Sequence, residues 1–349
     1  MIQALQIHKF GGPETLQHVS LPASPIFPSG VRIQVSASGV NFADIMMRMG
    51  LYPEAPKPPF IPGYEVSGVV TEVGHEVKKL RIGDRVLAGC RFGGYSSEVV
   101  LPESQVRKIP AKLTDIEAAA IPVNFLTAWV ALQDMARVRK GDRVLIQSAA
   151  GGVGVAAIQM AAQAGAHVVG VIGSTASQAK EDTVKSLGAA EVMTQSDWEA
   201  LPDKAVGNFD IILDPTGGES LKRSFRRLTS AGRLINYGAA SIVGGEKRSL
   251  LKLLSFARHI TFFTPLKLMM ENKGVFGLNM LQLFPSTPAG LSSSPGPMEI
   301  ALDLVLENFE KGSYKVVLGK TFPLSQGGGA HSFLQSRRNI GKIVLTREN

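Results

Sequence analysis

Ala149-Ala150-Gly151-Gly152-Val153-Gly154 stands between an apolar, β-branched run, DRVLIQSA at 142–149, and a small-residue run of helical character, Gly152–Gln163. Glycines at a strand-to-helix turn let the backbone approach a pyrophosphate, and the first-turn amides of the helix bind its charge. The first position is Ala149 instead of glycine, so the pattern is A-x-G-x-x-G. A tightly packed turn could use the same residues. The flanking strand and helix favour a dinucleotide site instead, with Ala150, Gly151, Gly152, Val153 and Gly154 as its contacts. A site that reads free ribose hydroxyls carries Asp or Glu about twenty residues on. Here that segment is GSTASQAK, Gly173 to Lys180, with no acid before Glu181. Hydroxyls and a lysine suit a 2′-phosphate, so Ser174 and Lys180 point to NADPH. The plain alternatives are a surface lysine at Lys180 and a helix N-cap at Ser177.

The elements that must position these residues alternate. After DRVLIQSA and its helix come a strand at HVVGVIG (167–173), a helix at Ser177–Leu187, and strands at Glu191–Thr194, FDIILD (209–214) and RLINYGA (233–239). A helix near Ser220–Leu228 separates the last two strands. Such alternation builds a parallel sheet covered on both faces. The first 120 residues are different: strands at Val31–Ala37, Val66–Val73 and Asp84–Ala88, with a stiff loop at Tyr52–Pro62 where five prolines fall in eleven residues. Thr114–Glu117 is a Thr-x-x-Glu capping box opening an alanine-rich helix. LFPSTPAGLSSSPGP at 283–297 reads as a loop, Met298–Lys311 as a helix and GKIVL (341–345) as a strand.

Length and composition narrow the class. The 349 residues, 44% hydrophobic and 19% charged, have room for two domains and exclude disorder. Cys90 is the only cysteine, which excludes a disulfide scaffold and a four-thiolate zinc site and suits a reducing compartment, the cytoplasm. The start, MIQALQIHKFGG, has no apolar run of signal-peptide length and reads as a strand. Val144–Ala179 contains no Asp, Glu, Lys or Arg, but glycines and small polar residues divide it into pieces of a buried βαβ unit. The net charge of +8 is partly clustered at Lys222, Arg223, Arg226 and Arg227 and at Lys247, Arg248 and Lys252. No aromatics alternate with these charges and no nucleic-acid motif is present, so a solvated helix face explains them better than nucleic acid.

The order of parts resembles the medium-chain dehydrogenase/reductases nearly end to end. The strings Asn41-Phe42-Ala43-Asp44, Gly50-Leu51-Tyr52-Pro53, Pro62-Gly63-Tyr64-Glu65, Gly83-Asp84-Arg85-Val86, AAGGVG at 149–154 and Asn339-Ile340-Gly341-Lys342 are similar to the quinone oxidoreductase branch. Within it, Asn41–Tyr52, DPTGG (214–218) and INYGAAS (235–241) are most similar to the vesicle amine transport protein homologues. The resemblance implies an α/β protein: a Rossmann-type doubly wound parallel sheet over 125–280, and a β-rich GroES-like catalytic domain from 1–124 and 281–349.

It also implies site residues. Asn41 and Tyr52 would face the nicotinamide and the substrate carbonyl, with Asp44 nearby; Asn124 and Thr127 would line the nicotinamide pocket. Tyr237 and Gly238 would close over the adenosine side, and Phe276, Gly277 and Leu278 would reach the nicotinamide amide. Each has a structural alternative. Asn41 could cap a helix with Asp44 as its first-turn charge, Tyr52 could anchor a loop, Thr127 could bond within its helix, and Phe276 and Leu278 could be core strand residues. Zinc-containing relatives carry a Cys ligand where Gly39–Phe42 stands, a His-Glu pair at Tyr64-Glu65 and a four-cysteine lobe; this chain lacks those cysteines, so no metal is expected.

The implied activity is zinc-independent, NADPH-dependent reduction of quinones or α,β-unsaturated carbonyls in the cytoplasm. The alternatives are a nucleotide-binding protein with peripheral membrane contact through the basic clusters and Leu266–Phe284, and a trans-enoyl reductase. A homodimer is expected through the Val275–Met280 edge strand. One departure stands out. SQGGGA at 325–330 lies where relatives begin a helix, and each glycine would weaken it by roughly 1 kcal/mol, so a loose rim is expected.

Overall fold

The computed structural model describes residues 1–173, 175, 177–202, 209–243, 263–283 and 296–348. The chain divides into two compact units, Met1–Leu126 with Met280–Asn349, and Thr127–Asn279. Ser174, Lys247, Arg248, Lys252 and most of the 283–297 loop lie outside the described residues.

The first unit is β-rich. Strands β1 (Ile2–Ile7) and β2 (Leu16–Leu21) pair antiparallel. The large sheet takes β3 (Gly30–Val40), β4 (Glu65–Val73), β5 (Arg85–Gly89), β6 (Glu98–Pro102) and β7 (Val106–Lys108) from the first part of the chain. Two strands from the end of the chain complete it, β14 (Leu318–Pro323) and β15 (Lys342–Thr346), in the order β14-β15-β3-β4-β5-β7 with β6 also on β3. Alternation along β3 sends Val31, Ile33 and Val35 into a core with Val66, Val70, Val86 and Leu101. Helix α1 (Phe42–Arg48) follows β3 directly, so Asn41 and Asp44 stand at the end of an interior strand of the sheet. Thr114 and Glu117 close the expected capping box of α2 (Asp115–Ala118), the Glu117 carboxylate accepting the Thr114 amide at 2.8 Å.

The second unit is a six-stranded parallel sheet among the described residues. Its strands are β8 (Arg143–Gln147), β9 (His167–Ile172), β10 (Glu191–Thr194), β11 (Phe209–Asp214), β12 (Leu228–Asn236) and β13 (Gly274–Gly277), in the order β10-β9-β8-β11-β12-β13. This is the doubly wound order, whose direction reverses beside the first strand. Helices α4 (Gly152–Gln163), α5 (Gln178–Ser186), α6 (Gln195–Ala200), α7 (Glu219–Arg226) and α8 (Pro265–Glu271) belong to the same unit. Helix α3 (Pro122–Trp129) crosses the division between the units. The helical stretch Asp115–Met135 is long and apolar enough to cross a membrane by length and composition alone, and 72% of its most apolar window is buried, as in a core helix.

The SQGGGA segment corrects its expectation. A helix, α10 (Gly327–Gln335), starts on the glycines themselves and buries Ala330 and His331; the earlier helix at 297–310 is α9. Gly327 packs directly against the side chain of Leu5, where a Cβ would collide. Packing against β1 replaces what propensity lacks.

Candidate functional site

In the second unit the glycine loop begins under strain. Ser148 lies in the left-handed region at φ 53°, unusual for a residue with a side chain. That turn lets the Ser148 carbonyl accept the Gly151 amide at 2.8 Å and delivers the chain to α4 with Gly151 as N-cap. No side chain caps this helix. The amides of Gly152, Val153 and Gly154 therefore stand in the first turn, where an α-helix offers no acceptor. Gly154 is required sterically: a Cβ there would strike the Ser148 carbonyl oxygen and stand 2.6 Å from that of Ala149. Ala150 is buried beneath the loop.

Beneath the neighbouring strands lies a carboxylate with no exposed surface. Asp214, ending β11, accepts from Gln147 Nε2 (2.9 Å), Ser220 Oγ (2.7 Å), Ser224 Oγ (3.1 Å) and the Thr216 and Gly217 amides (2.7 and 3.1 Å). Burial raises its pKa and these donors oppose the rise. It joins the residue before the strained Ser148 to the start of α7. Lys180 is only 4% exposed and donates from Nζ to Thr175 Oγ1 at 2.7 Å, with burial lowering its pKa. Tyr237 is half-buried, its amide donating to the Asp214 carbonyl at 3.2 Å, and Gly238 crosses close over Pro215. Phe276 (37% exposed) and Gly277 sit on the edge strand β13, while Leu278 is buried just beyond it. Thr127 is buried in α3.

In the first unit, four separated segments converge on one cation. Lys342, opening β15, is ion-paired with Glu65, which opens β4; the two are 3% and 0% exposed. Lys342 Nζ also donates to Asn41 Oδ1 at 2.6 Å and to Asn124 Oδ1 at 3.4 Å. Asn41 Nδ2 donates to Glu65 Oε1 at 3.0 Å, and Glu65 Oε2 accepts the Val123 amide at 2.7 Å. Neither Glu65 nor Lys342 was among the expected site residues. The only hint in the chain is a charge at the head of each of two apolar strands.

Asp44, expected near the reactants, lies directly beneath Asn41. It is fully buried and accepts the Asn41 amide (2.8 Å), the Gly63 amide (3.2 Å) and the Tyr95 hydroxyl (3.0 Å). Tyr95 in turn meets His331 Nε2 at 3.1 Å. Asp44 is thus a positioning residue beneath Asn41. Asn41 has its oxygen engaged by Lys342 and one amide proton by Glu65. Tyr52 packs, partly buried, against the cluster that includes Met47, Phe60 and Tyr64, and burial with the nearby negative Glu54 and Asp44 pushes its pKa up to about 12. It is a phenol at neutral pH, hence a hydrogen-bond donor.

Burial pushes the Asp44 pKa up to about 7, against the lowering pull of its three donors and the Lys342 charge. In the unfolded chain an aspartate titrates near 3.9, roughly. Between about pH 4 and 7 the folded protein therefore binds more protons than the unfolded. This group's contribution is fully present below pH 4 and is lost as pH rises through 7, by ~4 kcal/mol. Denaturant unfolding of wild type and Asp44→Asn at pH 5 and pH 8 checks this. Wild type should lose stability relative to the variant on going to pH 8; parallel curves would refute it. His331, held well below the usual histidine range by burial and by Arg48, weakens the fold in the other direction, as pH falls, in both proteins.

The donors for a metal do not converge. Cys90 is buried with its thiol on the Gly63 carbonyl, Glu65 is neutralised by Lys342, and among the described residues no group of three His, Cys, Asp or Glu could hold an ion. Among the described residues no set of side chains matches the ligands of a catalytic zinc.

A β domain closed by strands from both ends of the chain, with a doubly wound parallel sheet bearing an uncapped glycine-rich helix start, defines the alcohol-dehydrogenase class of two-domain proteins. Residues 28–111 match the family model for the alcohol dehydrogenase GroES-like domain, and residues 187–345 that for zinc-binding dehydrogenase. The synaptic vesicle membrane protein VAT-1 homologs of Danio rerio and Homo sapiens are 34% and 32% identical to the chain, each over 99% of it and over 70% and 86% of their own lengths. The crystal structure of the human VAT-1 homolog-like protein superposes with a TM-score of 0.81 at 29% identity, covering 100% of this chain and 98% of that one. Escherichia coli quinone oxidoreductase complexed with NADPH gives 0.83 at 26% identity, covering 99% of each chain. The chain belongs to the medium-chain dehydrogenase/reductase superfamily, in its VAT-1-like family.

Proposed function

We propose that the protein is a zinc-independent, NADPH-dependent oxidoreductase that reduces quinones or α,β-unsaturated carbonyls in the cytoplasm. The observation that carries the reading is the uncapped start of α4, where the strained Ser148 turn and Gly154 hold three first-turn amides ready for a pyrophosphate. Gly151, Gly152, Val153 and Gly154 would hold that group, and buried Lys180 would meet a 2′-phosphate. The E. coli neighbour, solved with NADPH, supports the same choice of cofactor. When bound, the nicotinamide supplies a hydride. The chain's own part is to orient the acceptor and stabilise charge developing on its oxygen, and the protonated Tyr52 hydroxyl is the donor suited to that.

Steady-state reduction of a quinone and enone panel tests the reading. Tyr52→Phe should lower turnover roughly ten- to a thousandfold while leaving NADPH affinity nearly unchanged. Trace oxidation indifferent to this substitution would sink the enzyme reading. Lys180→Ala should weaken NADPH at least tenfold, as a charge-assisted phosphate contact of roughly 1.5–3 kcal/mol requires, and NADH far less. Equal losses would remove the case for NADPH.

A second reading, an interaction role, is favoured by α8, where Leu266, Met269 and Met270 are 64%, 68% and 74% exposed. Leu268 of the same helix packs inward against the core that includes Phe225 of the basic helix α7. Apolar side chains beside lysines and arginines suit peripheral contact with an anionic membrane. Among the described residues β13 ends the sheet, and such an edge suits pairing with a second copy in a homodimer.

A further inference from the structure

The Lys342 cluster has a consequence for the orientation of two carboxamides. A lysine ammonium has three donors and no acceptor, and a carboxylate only acceptors. Asn41 lies between the two, with Oδ1 at 2.6 Å from Lys342 Nζ and Nδ2 at 3.0 Å from Glu65 Oε1. The opposite rotamer would set its NH2 against the ammonium and its oxygen against the carboxylate, so the amide is fixed. Asn124 presents Oδ1 to the same ammonium at 3.4 Å, which turns its nitrogen away from the cation. The neighbouring Val123 amide is held by Glu65 Oε2, so the backbone beside Asn124 is pinned as well. Asn124 is 5% exposed, and its Nδ2 donates no hydrogen bond among the described residues. With its oxygen held by the ammonium, the Asn124 nitrogen is the end of the amide left to meet an acceptor from outside the protein.

We propose that Lys342, anchored by Glu65, is a positioning residue that keeps the Asn124 nitrogen turned outward as a hydrogen-bond donor, and that Asn124 is the specificity-determining contact for the carbonyl oxygen of the acceptor. This rests on the oxidoreductase reading for the identity of the acceptor. A site that only donates should prefer the quinone to its hydroquinone, because the carbonyl oxygen is the stronger acceptor and the hydroxyl's own proton finds no acceptor at the amide nitrogen. Lys342 thereby acts on substrate choice without touching substrate.

The test is equilibrium binding of tetramethyl-1,4-benzoquinone and of its hydroquinone to the full chain loaded with NADP+. Wild type should prefer the quinone about tenfold. Asn124→Asp keeps an oxygen on Lys342 and replaces the donor by an acceptor, so it should weaken the quinone at least tenfold and tighten the hydroquinone. The double variant Glu65→Gln/Lys342→Met removes the charge pair without leaving either partner alone. It frees the amide to turn, and the preference should fall towards one. A role in folding alone would move neither ratio. Preferences unchanged within twofold in both variants, or a wild type that binds neither form, would overturn the proposal. Because binding is read without turnover, a protein that binds with the expected preferences but passes no hydride would sink the oxidoreductase reading and leave this one standing.

Discussion

Gly154→Val is expected to abolish dinucleotide binding and to destabilise the second unit by ~3 kcal/mol or more. The new Cβ would meet the carbonyl oxygens of Ser148 and Ala149 and the carbonyl carbon of Ala149 at 2.7 Å. All three are backbone atoms, so no rotamer change relieves the collision. The strand-to-helix turn must open, and the first-turn amides of α4 move away from the positions that suit a pyrophosphate. NADPH affinity, read by fluorescence titration, should fall at least a hundredfold, ~2.8 kcal/mol. A variant that still bound NADPH within threefold of wild type would show that the loop is not the phosphate site. Gly329→Ala makes the opposite case. It lies inside α10, its nearest neighbour to a new Cβ is Phe322 at 3.9 Å, and the change should stabilise by up to ~1 kcal/mol.

That contrast also explains what could be read in the chain before the fold was known. The strand-to-helix turn is legible because its signal is local: Gly151, Gly152 and Gly154 fall between the end of β8 and the first turn of α4. The parallel sheet is legible for a similar reason, since FDIILD and HVVGVIG are near-continuous apolar runs separated by helices. The α10 helix is under-read because Gly327 packs closely on Leu5, more than three hundred residues away, a contact that propensity cannot see. The Lys342 cluster is missed on the same ground. Asn41, Glu65, Asn124 and Lys342 share no spacing, and each looks locally like a cap or the charged head of a strand. Only the antiparallel pairing of β15 with β3, and of β3 with β4, brings Lys342 and Glu65 to neighbouring positions around Asn41. Asp44 stands close to Asn41 in the chain, and the fold uses it as an internal anchor through the Asn41 and Gly63 amides and the Tyr95 hydroxyl.

The stability of the first unit should depend on that cluster as a unit and not residue by residue. Lys342→Met leaves the Glu65 carboxylate, which has no exposed surface, with only the Val123 amide and Asn41 Nδ2 as donors. Removing one partner of a buried ion pair costs about 3–5 kcal/mol, because the remaining charge is neither solvated nor neutralised. Glu65→Gln alone should be nearly as damaging, since it strands the ammonium with two carboxamide oxygens. The double variant Glu65→Gln/Lys342→Met should recover most of the loss, because two neutral side chains of similar volume carry no desolvation penalty. Denaturant unfolding of the four proteins forms a double-mutant cycle, and the expected coupling is on the order of 3 kcal/mol. Exposed pairs such as Lys311 with Glu307 contribute less than about 1 kcal/mol and weaken in salt. The Glu65–Lys342 coupling should therefore persist at high ionic strength. Additive single and double effects, or a coupling that disappears in 0.5 M salt, where the Debye length is about 4 Å, would mean that water reaches the pair and that the cation does not fix the carboxamides around it.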